Sequence, residues 1–347
     1  MQESGIKKIY LAEFSQRFGR GLLFLVLTVL FVVSCKNEVV KNTKISGSVF
    51  GTTYSVIYHA DKKMDFNKQF DSIFYVINRS MSTYQANSII SKLNRNEQAE
   101  LDSHFIKVFD ASKTIFDSTN GVFDPTIGVL VNAWDFGPEG AIASLDSLKI
   151  KELMKSVNFN SVKRTGNSLI KENKNTFLDF NAIAKGYAVD VIAEFLEKNN
   201  IKDYLVEIGG EIRAKGSNIE KQKDWKIGVE NPNFDGTQSI LKAISIKEAA
   251  MATSGTYRKF KVDSLGNRYA HIIDTKTGYP SKTNILSVSV ITDDCMTADA
   301  YATALKTMGI EKIGLFLEEH PELKVFLIFE NDQNELETLS LNNFPEN

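Results

Sequence analysis

Apolar positions along this chain alternate between two spacings, and the switches between them mark out its elements. Ile45 to Tyr58 alternates apolar and small polar residues, which predicts either a strand pair or one bent strand. Phe66, Phe70, Ile73, Phe74 and Ile77 then recur at helical spacing, with Ser82-Thr83-Tyr84 as the loop that follows. Ser88 to Leu93 reads as the start of a short helix. Phe105, Val108, Phe109, Ser112, Ile115 and Phe116 predict a longer one over 105–118. Gly121 ends it, and Pro125 makes Phe123-Asp124-Pro125-Thr126 a loop.

The second half continues the mixture. Residues 138–162 read as a surface insertion carrying a helix, and Phe177 to Phe180 as a short strand. Ala184, Ala188, Val191, Ile192, Phe195 and Leu196 predict a helix over 184–199. Tyr204, Val206 and Ile208 alternate as a strand stopped by Gly209-Gly210. Strands are also expected at Trp225–Val229, Leu241–Ile246, His271–Ile273, Ile285–Ile291 and Lys324–Phe329. A helix over Thr297–Met308 is ended by Gly309. Strands and helices mix without strict alternation, which favours an α+β body over a doubly wound parallel sheet. The body is placed at 45–335, with 336–347 as a C-terminal tail.

Composition changes this picture only at the N-terminus. Of 347 residues, 43% are hydrophobic and 24% charged, with a net charge of -2, so neither a basic nucleic-acid surface nor an acidic solvating tail is indicated. The first 35 residues differ: Lys7, Lys8, Arg17 and Arg20 precede an apolar run from Gly21 to Ser34. That run has the length of a signal h-region and is short for a membrane span. It ends in Val32-Val33-Ser34-Cys35, which resembles a bacterial lipobox whose cysteine is lipidated, with 36–44 as a tether. One acyl chain holds a protein only marginally, at about 0.8 kcal/mol per buried CH2, so stable anchoring needs more than one chain. With Cys35 acylated only Cys295 is left, which excludes an intrachain disulfide and a cysteine-built redox or zinc site.

Three stretches carry candidate chemistry. Leu178 to Asp190 runs from a strand through a turn into a helix, with Lys185 and Gly186 in the first helical turn. A helix start offers free N–H groups and a positive dipole end, so a phosphate there would explain a lysine and a glycine that are locally unfavourable. The alternative is an exposed lysine and a glycine that permits close packing. Asp299 and Thr303 lie four apart on one helical face, a carboxylate and a hydroxyl suited to Mg2+ retaining waters. The alternative is a dipole-favouring Asp and a Thr bonded back to a carbonyl. His271 and Asp274 flank a strand ending in a Gly/Pro turn, where the histidine could bind phosphate or move a proton; a satisfied histidine and a turn-forming aspartate are the plainer reading.

Taken in order, "MSTYQANSIISKLN", "FDPTIG", "LDFNAIAKGYAVD", "VEIGGEIRAKG", "SGTYRKF", "HIIDTKTGYP" and "MTADAYATAL" resemble the ApbE family of FAD:protein FMN transferases over about residues 45–330. The resemblance implies an α+β fold of mixed sheets with flanking helices in a single large two-lobed domain. It implies transfer of FMN from FAD to a Thr hydroxyl of a target protein, with release of AMP. It further implies Mg2+ held by the main-chain oxygen of Ala182 and the side chains of Asp299 and Thr303. FAD contacts are implied for Phe50, Tyr84, Val122, Phe123, Asp124, Asp179, Lys185, Ser254 and His271. Phe50 stands where the family often has Met. Lys185, His271 and Asp274 are the groups expected to act in catalysis. An exported lipoprotein on a bacterial membrane, facing the periplasm and modifying a membrane respiratory subunit, fits the same resemblance. The same groups would also serve an FAD pyrophosphatase, and a non-catalytic flavin-binding lipoprotein is the reading from a different class.

Overall fold

The structure is a computed structural model and describes residues 41–62, 64–142, 145–257, 260–262 and 268–346. The signal segment, Cys35 and most of the tether lie outside the described residues. In chain order, β1 (Thr43–Val49) and β2 (Thr52–Tyr58) form a hairpin, resolving the first alternating stretch as a strand pair. Its two turn residues, Phe50 and Gly51, both have positive φ, as a tight hairpin requires. Helices α1 (Asn67–Met81), α2 (Ile89–Asn94), α3 (Ser103–Ser118) and α4 (Gly128–Ala133) follow. The insertion carries α5 (Ser147–Met154), and β3 (Val162–Thr165) pairs with β4 (Ser168–Lys171). Helix α6 (Ala184–Lys198) leads into β5 (Tyr204–Ile208) and β6 (Glu211–Lys215). Then come β7 (Trp225–Glu230), β8 (Ile240–Ile246), β9 (Ala249–Gly255), β10 (Phe260–Val262) and β11 (Arg268–Ala270). The chain closes with β12 (Ile285–Thr292), α7 (Cys295–Met308), α8 (Ile310–Glu319), β13 (Lys324–Glu330) and β14 (Leu336–Leu341).

One eight-stranded sheet organises these elements, in the order β1-β2-β5-β6-β9-β12-β13-β14 and antiparallel throughout. Period-two alternation sends side chains to opposite faces, and both faces are covered. On one face Val56, Tyr204, Val206, Val288 and Leu327 pack under the helices with Phe70, Phe105 and Ile192. On the other, Ile212, Met251, Phe326 and Ile328 meet Trp225, Ile227 and Ile244 of the β7–β8 hairpin. Strand β12 lies beneath both layers, which is why Ile285 to Ile291 is buried without a break. Among the described residues no helix is long and apolar enough to cross a membrane.

Four expectations need correction. Within the expected tail 336–347, the described residues 336–346 are part of the body: β14 pairs with β13, and Phe344 is buried, stacked on Phe326 with ring centroids 5.2 Å apart. Phe177–Phe180 is not a strand, because the Leu178 N–H and carbonyl are taken by the Asn94 side-chain amide rather than by a ladder. His271–Ile273 lies after β11, outside it, where Ile273 makes only an isolated bridge to Pro280. Ala252 to Gly255, where the spacing of apolar residues marks no strand, is the end of β9.

Candidate active site

Helices α6 and α7 start side by side, and their first turns build the centre of the site. A methyl group at position 186 would lie 2.2 Å from the Cys295 carbonyl oxygen, so Gly186 is what lets α7 approach. The Gly186 N–H donates to Asp299 Oδ2 at 3.0 Å. The neighbouring helix therefore supplies a carboxylate to the start of α6 where the sequence suggested a phosphate, and Gly186 serves close packing. Lys185 reaches instead to Glu211 at the start of β6, in an ion pair with a carboxylate only 3% exposed. Burial disfavours the Lys185 ammonium, but the Glu211 and Asp299 carboxylates outweigh it and raise its pKa. Burial raises Glu211 in turn, and its Oε2 is buried without a hydrogen-bond partner.

Helix α7 presents Asp299 and Thr303 on the same side, with alanines at 298, 300, 302 and 304 leaving room around them. Thr303 Oγ1 lies 2.9 Å from Ser254 Oγ, which brings the end of β9 into the group. Asp299 is buried, and burial raises its pKa against the lowering influence of Lys185. The start of α7 is held by other acids: Asp294 Oδ1 accepts from Thr297 N, and Asp190 accepts from Cys295 N and Met296 N. Asp299 is thus not needed at the start of its own helix, and the N–H it accepts from belongs to α6. No cluster of three or more His, Cys, Asp or Glu able to hold a metal occurs among the described residues. A cation here would rest on one carboxylate, one hydroxyl, the Ala182 carbonyl and oxygens of a ligand. Such a donor set suits a hard ion that keeps several waters.

Two loops face these helices. Thr275 Oγ1 donates to the Gly121 carbonyl at 2.7 Å, and Lys276 Nζ donates to that of Asn120, so the loop after β11 is stitched to the loop after α3. Asp274 shapes that stitch: its Oδ1 accepts from Lys276 N at 2.7 Å and Thr277 N at 3.2 Å. It does not line the cavity, so its placement is that of a turn former. Asp124 is buried and accepts from Thr126 N, Thr126 Oγ1 and Phe159 N, while burial raises its pKa. Asp179 accepts from the Asn181 main chain and side chain. Tyr84 is 60% exposed, and Phe50 packs edge-on against Phe74.

A cavity of about 1180 Å³ joins these parts. It is lined by Phe50, Tyr84, Val122, Phe123, Asp124 and Asp179, and by Ala182, Lys185, Ser254, His271, Asp299 and Thr303. Every expected site residue in the described part of the chain except Asp274 is there. Sequence reasoning missed Glu211 and Asp190. Both were visible as acids at odds with buried surroundings, Glu211 directly after a Gly-Gly turn and Asp190 on an apolar helical face.

The model of the ApbE family matches residues 50–327. An FAD:protein FMN transferase of Haemophilus influenzae is 35% identical, the match covering 88% of this chain and 92% of that protein. One from Vibrio cholerae is 33% identical over 90% of this chain and 95% of its own. Among solved structures, the flavin transferase ApbE from Vibrio cholerae superposes with a TM-score of 0.77 at 32% identity, covering 86% of this chain and 97% of that one. The apo flavinyl transferase ApbE of Pseudomonas stutzeri gives a TM-score of 0.77 at 28% identity, covering 86% and 94%.

Proposed function

This chain belongs to the ApbE family and is an FAD:protein FMN transferase, and on that premise we propose that it moves FMN from FAD to a protein threonine with Mg2+ held by Asp299, Thr303 and the Ala182 carbonyl. The observation that carries the reading is that Lys185, Asp299 and Thr303 line one cavity with His271 and the aromatic residues at 50, 84 and 123. The threonine oxygen attacks the FMN phosphorus, a P–O bond forms, and the pyrophosphate P–O bond breaks to release AMP. Bound Mg2+ supplies charge neutralisation on the pyrophosphate and on the leaving AMP. Lys185, kept protonated by its acidic neighbours, adds positive charge from the start of α6. Phosphoryl transfer rests mainly on positioning and charge stabilisation, so a strong base is not needed. His271, on the cavity wall, takes the threonine proton, while Asp274 holds the turn that carries the loop. The cavity wall formed by Phe50, Tyr84, Val122 and Phe123 takes the flavin.

The test is mass spectrometry of a threonine-bearing acceptor, such as a membrane respiratory subunit, incubated with FAD, Mg2+ and the enzyme. A gain of one FMN with release of AMP is expected, and free FMN alone would mean a pyrophosphatase. Asp299→Ala should abolish transfer in a folded protein; full activity of that variant in Mg2+ buffer would sink the metal assignment.

The proposal extends to location. The basic n-region, the apolar run and Val32-Val33-Ser34-Cys35 support export and lipid anchoring at a bacterial membrane, facing the periplasm. Cys35→Ala is expected to shift the protein from the membrane fraction to the soluble fraction and to remove the acyl mass. An unchanged distribution would argue for a signal anchor instead.

A further inference from the structure

We infer that Asp190 is a positioning residue for Asp299, fixing the height and rotation of α7 against α6 so that the proposed metal ligand faces the cavity. The inference rests on the metal reading above. The two helices exchange carboxylates at their first turns. Asp299 of α7 accepts from Gly186 N at 3.0 Å. Asp190 of α6 accepts from Cys295 N at 3.0 Å and Met296 N at 2.8 Å. Asp294 caps α7 only through Thr297 N, and Asp190 satisfies two more N–H groups of that helix start from another helix. What the second acid adds beyond this is a fixed relation between the helices. It grips Cys295, the residue whose carbonyl abuts Gly186, and Asp299 follows one turn later.

The grip is itself anchored to the sheet. Arg213 Nη1 meets Asp190 Oδ1 at 2.7 Å, and Asp190 is 3% exposed. Arg213 stands two residues after Glu211, the partner of Lys185, on the same face of β6. Lys185 and Asp190 are five residues apart on α6, a rise of about 7.5 Å, and two residues of a strand span about 6.6 Å. Lys185–Glu211 and Asp190–Arg213 form two rungs between α6 and β6. One rung sets the cavity lysine, and the other sets α7 and its aspartate. Groups that orient a metal ligand without touching the metal typically change metal affinity by 10–100-fold.

The experiment titrates Mn2+, as a paramagnetic stand-in for Mg2+, into the full-length protein and reads the free ion by electron paramagnetic resonance. FAD affinity is measured in parallel by flavin fluorescence. The variants are Asp190→Asn, the double variant Asp190→Asn/Arg213→Gln, and Asp299→Asn. The double variant removes both charges of the rung together, and it carries the test if Asp190→Asn alone does not fold. Asp299→Asn is expected to lose Mn2+. The Asp190 variants are expected to bind it about tenfold more weakly with FAD affinity unchanged. Wild-type Mn2+ affinity in the double variant, with Mn2+ lost in Asp299→Asn, would overturn the inference and leave the metal reading standing. An equal fall in Mn2+ and FAD affinity would overturn it too, since that marks a general structural role. Normal Mn2+ binding by Asp299→Asn would overturn the metal reading itself, and the inference with it.

Discussion

Lys306 sits in the last turn of α7, 1% exposed, with its Nζ 3.0 Å from Thr283 Oγ1. No carboxylate pairs with it among the described residues, and burial pulls its pKa down from 10.5 to about 8. Between those two values the unfolded chain binds the proton and the folded chain does not. Stability therefore rises as pH climbs from about 8 to 10.5, and the cost of burying the ammonium is felt in full below about 8. Lys306→Met is expected to be more stable than the parent at pH 7 by about 1–4 kcal/mol, the range found when buried ion pairs give way to apolar residues of similar volume. The advantage should shrink toward pH 10.5, read as the difference between urea midpoints of the two proteins. A difference independent of pH would refute the account. The same residue-scale view explains what could be read at Gly186. The sequence marked it as locally unfavourable and so as special. It could not show whether a ligand or the Cys295 carbonyl filled the space, because the residue that approaches is 109 positions away.

Elements with a strong period of their own were legible in advance. The apolar stripes of α1, α3 and α6 and the β-branched run of β12 all fall within a few residues of expectation. The elements that were missed are strands without that signature. Ala249–Gly255 is mostly small residues, and it is a strand because β6 and β12 pair with it from either side while α7 lies across it. Small side chains such as Ala250 and Ala252 are what let α7 come close, so the same feature that hid the strand places Ser254 beside Thr303. Strand β14 is largely exposed and polar in pattern, and it is held by the β13 ladder and by Phe344 beyond its end. Phe344 is 2% exposed, and Lys242 Nζ lies 5.7 Å from its ring centre. Phe344→Ala is expected to cost about 3–5 kcal/mol in urea unfolding. Flavin transfer below the unfolding temperature should be unaltered, since Phe344 packs on the sheet face opposite the helices. A loss of less than about 1 kcal/mol would show that residues 336–346 behave as the tail first expected.

At the scale of the molecule, the cavity is a meeting point of distant segments rather than the property of any one. Its wall runs from Phe50 to Thr307, taking in the turns that join β1 to β2 and β5 to β6, the end of β9, the starts of α6 and α7 and the stitched loops. That dispersion is why single motifs were ambiguous and their order was informative: each block had a plain local explanation, while a common cavity requires all of them. It also fixes how ligand binding should bear on stability. Residues 42–347 form one compact unit, so a ligand touching many of its elements binds the folded form and loses its site when that unit opens. FAD present at a hundred times its dissociation constant should add about 2.7 kcal/mol. For a unit of this size that corresponds to a rise in Tm of about 4 °C. AMP alone, touching fewer of these segments, should give a smaller rise at the same multiple of its own dissociation constant only if part of the wall opens separately. If the unit unfolds as one, equal saturation gives equal stabilisation, and that equality is the expected result. Unequal shifts at matched saturation would show that the loops after α3 and β11 melt apart from the sheet and its helices.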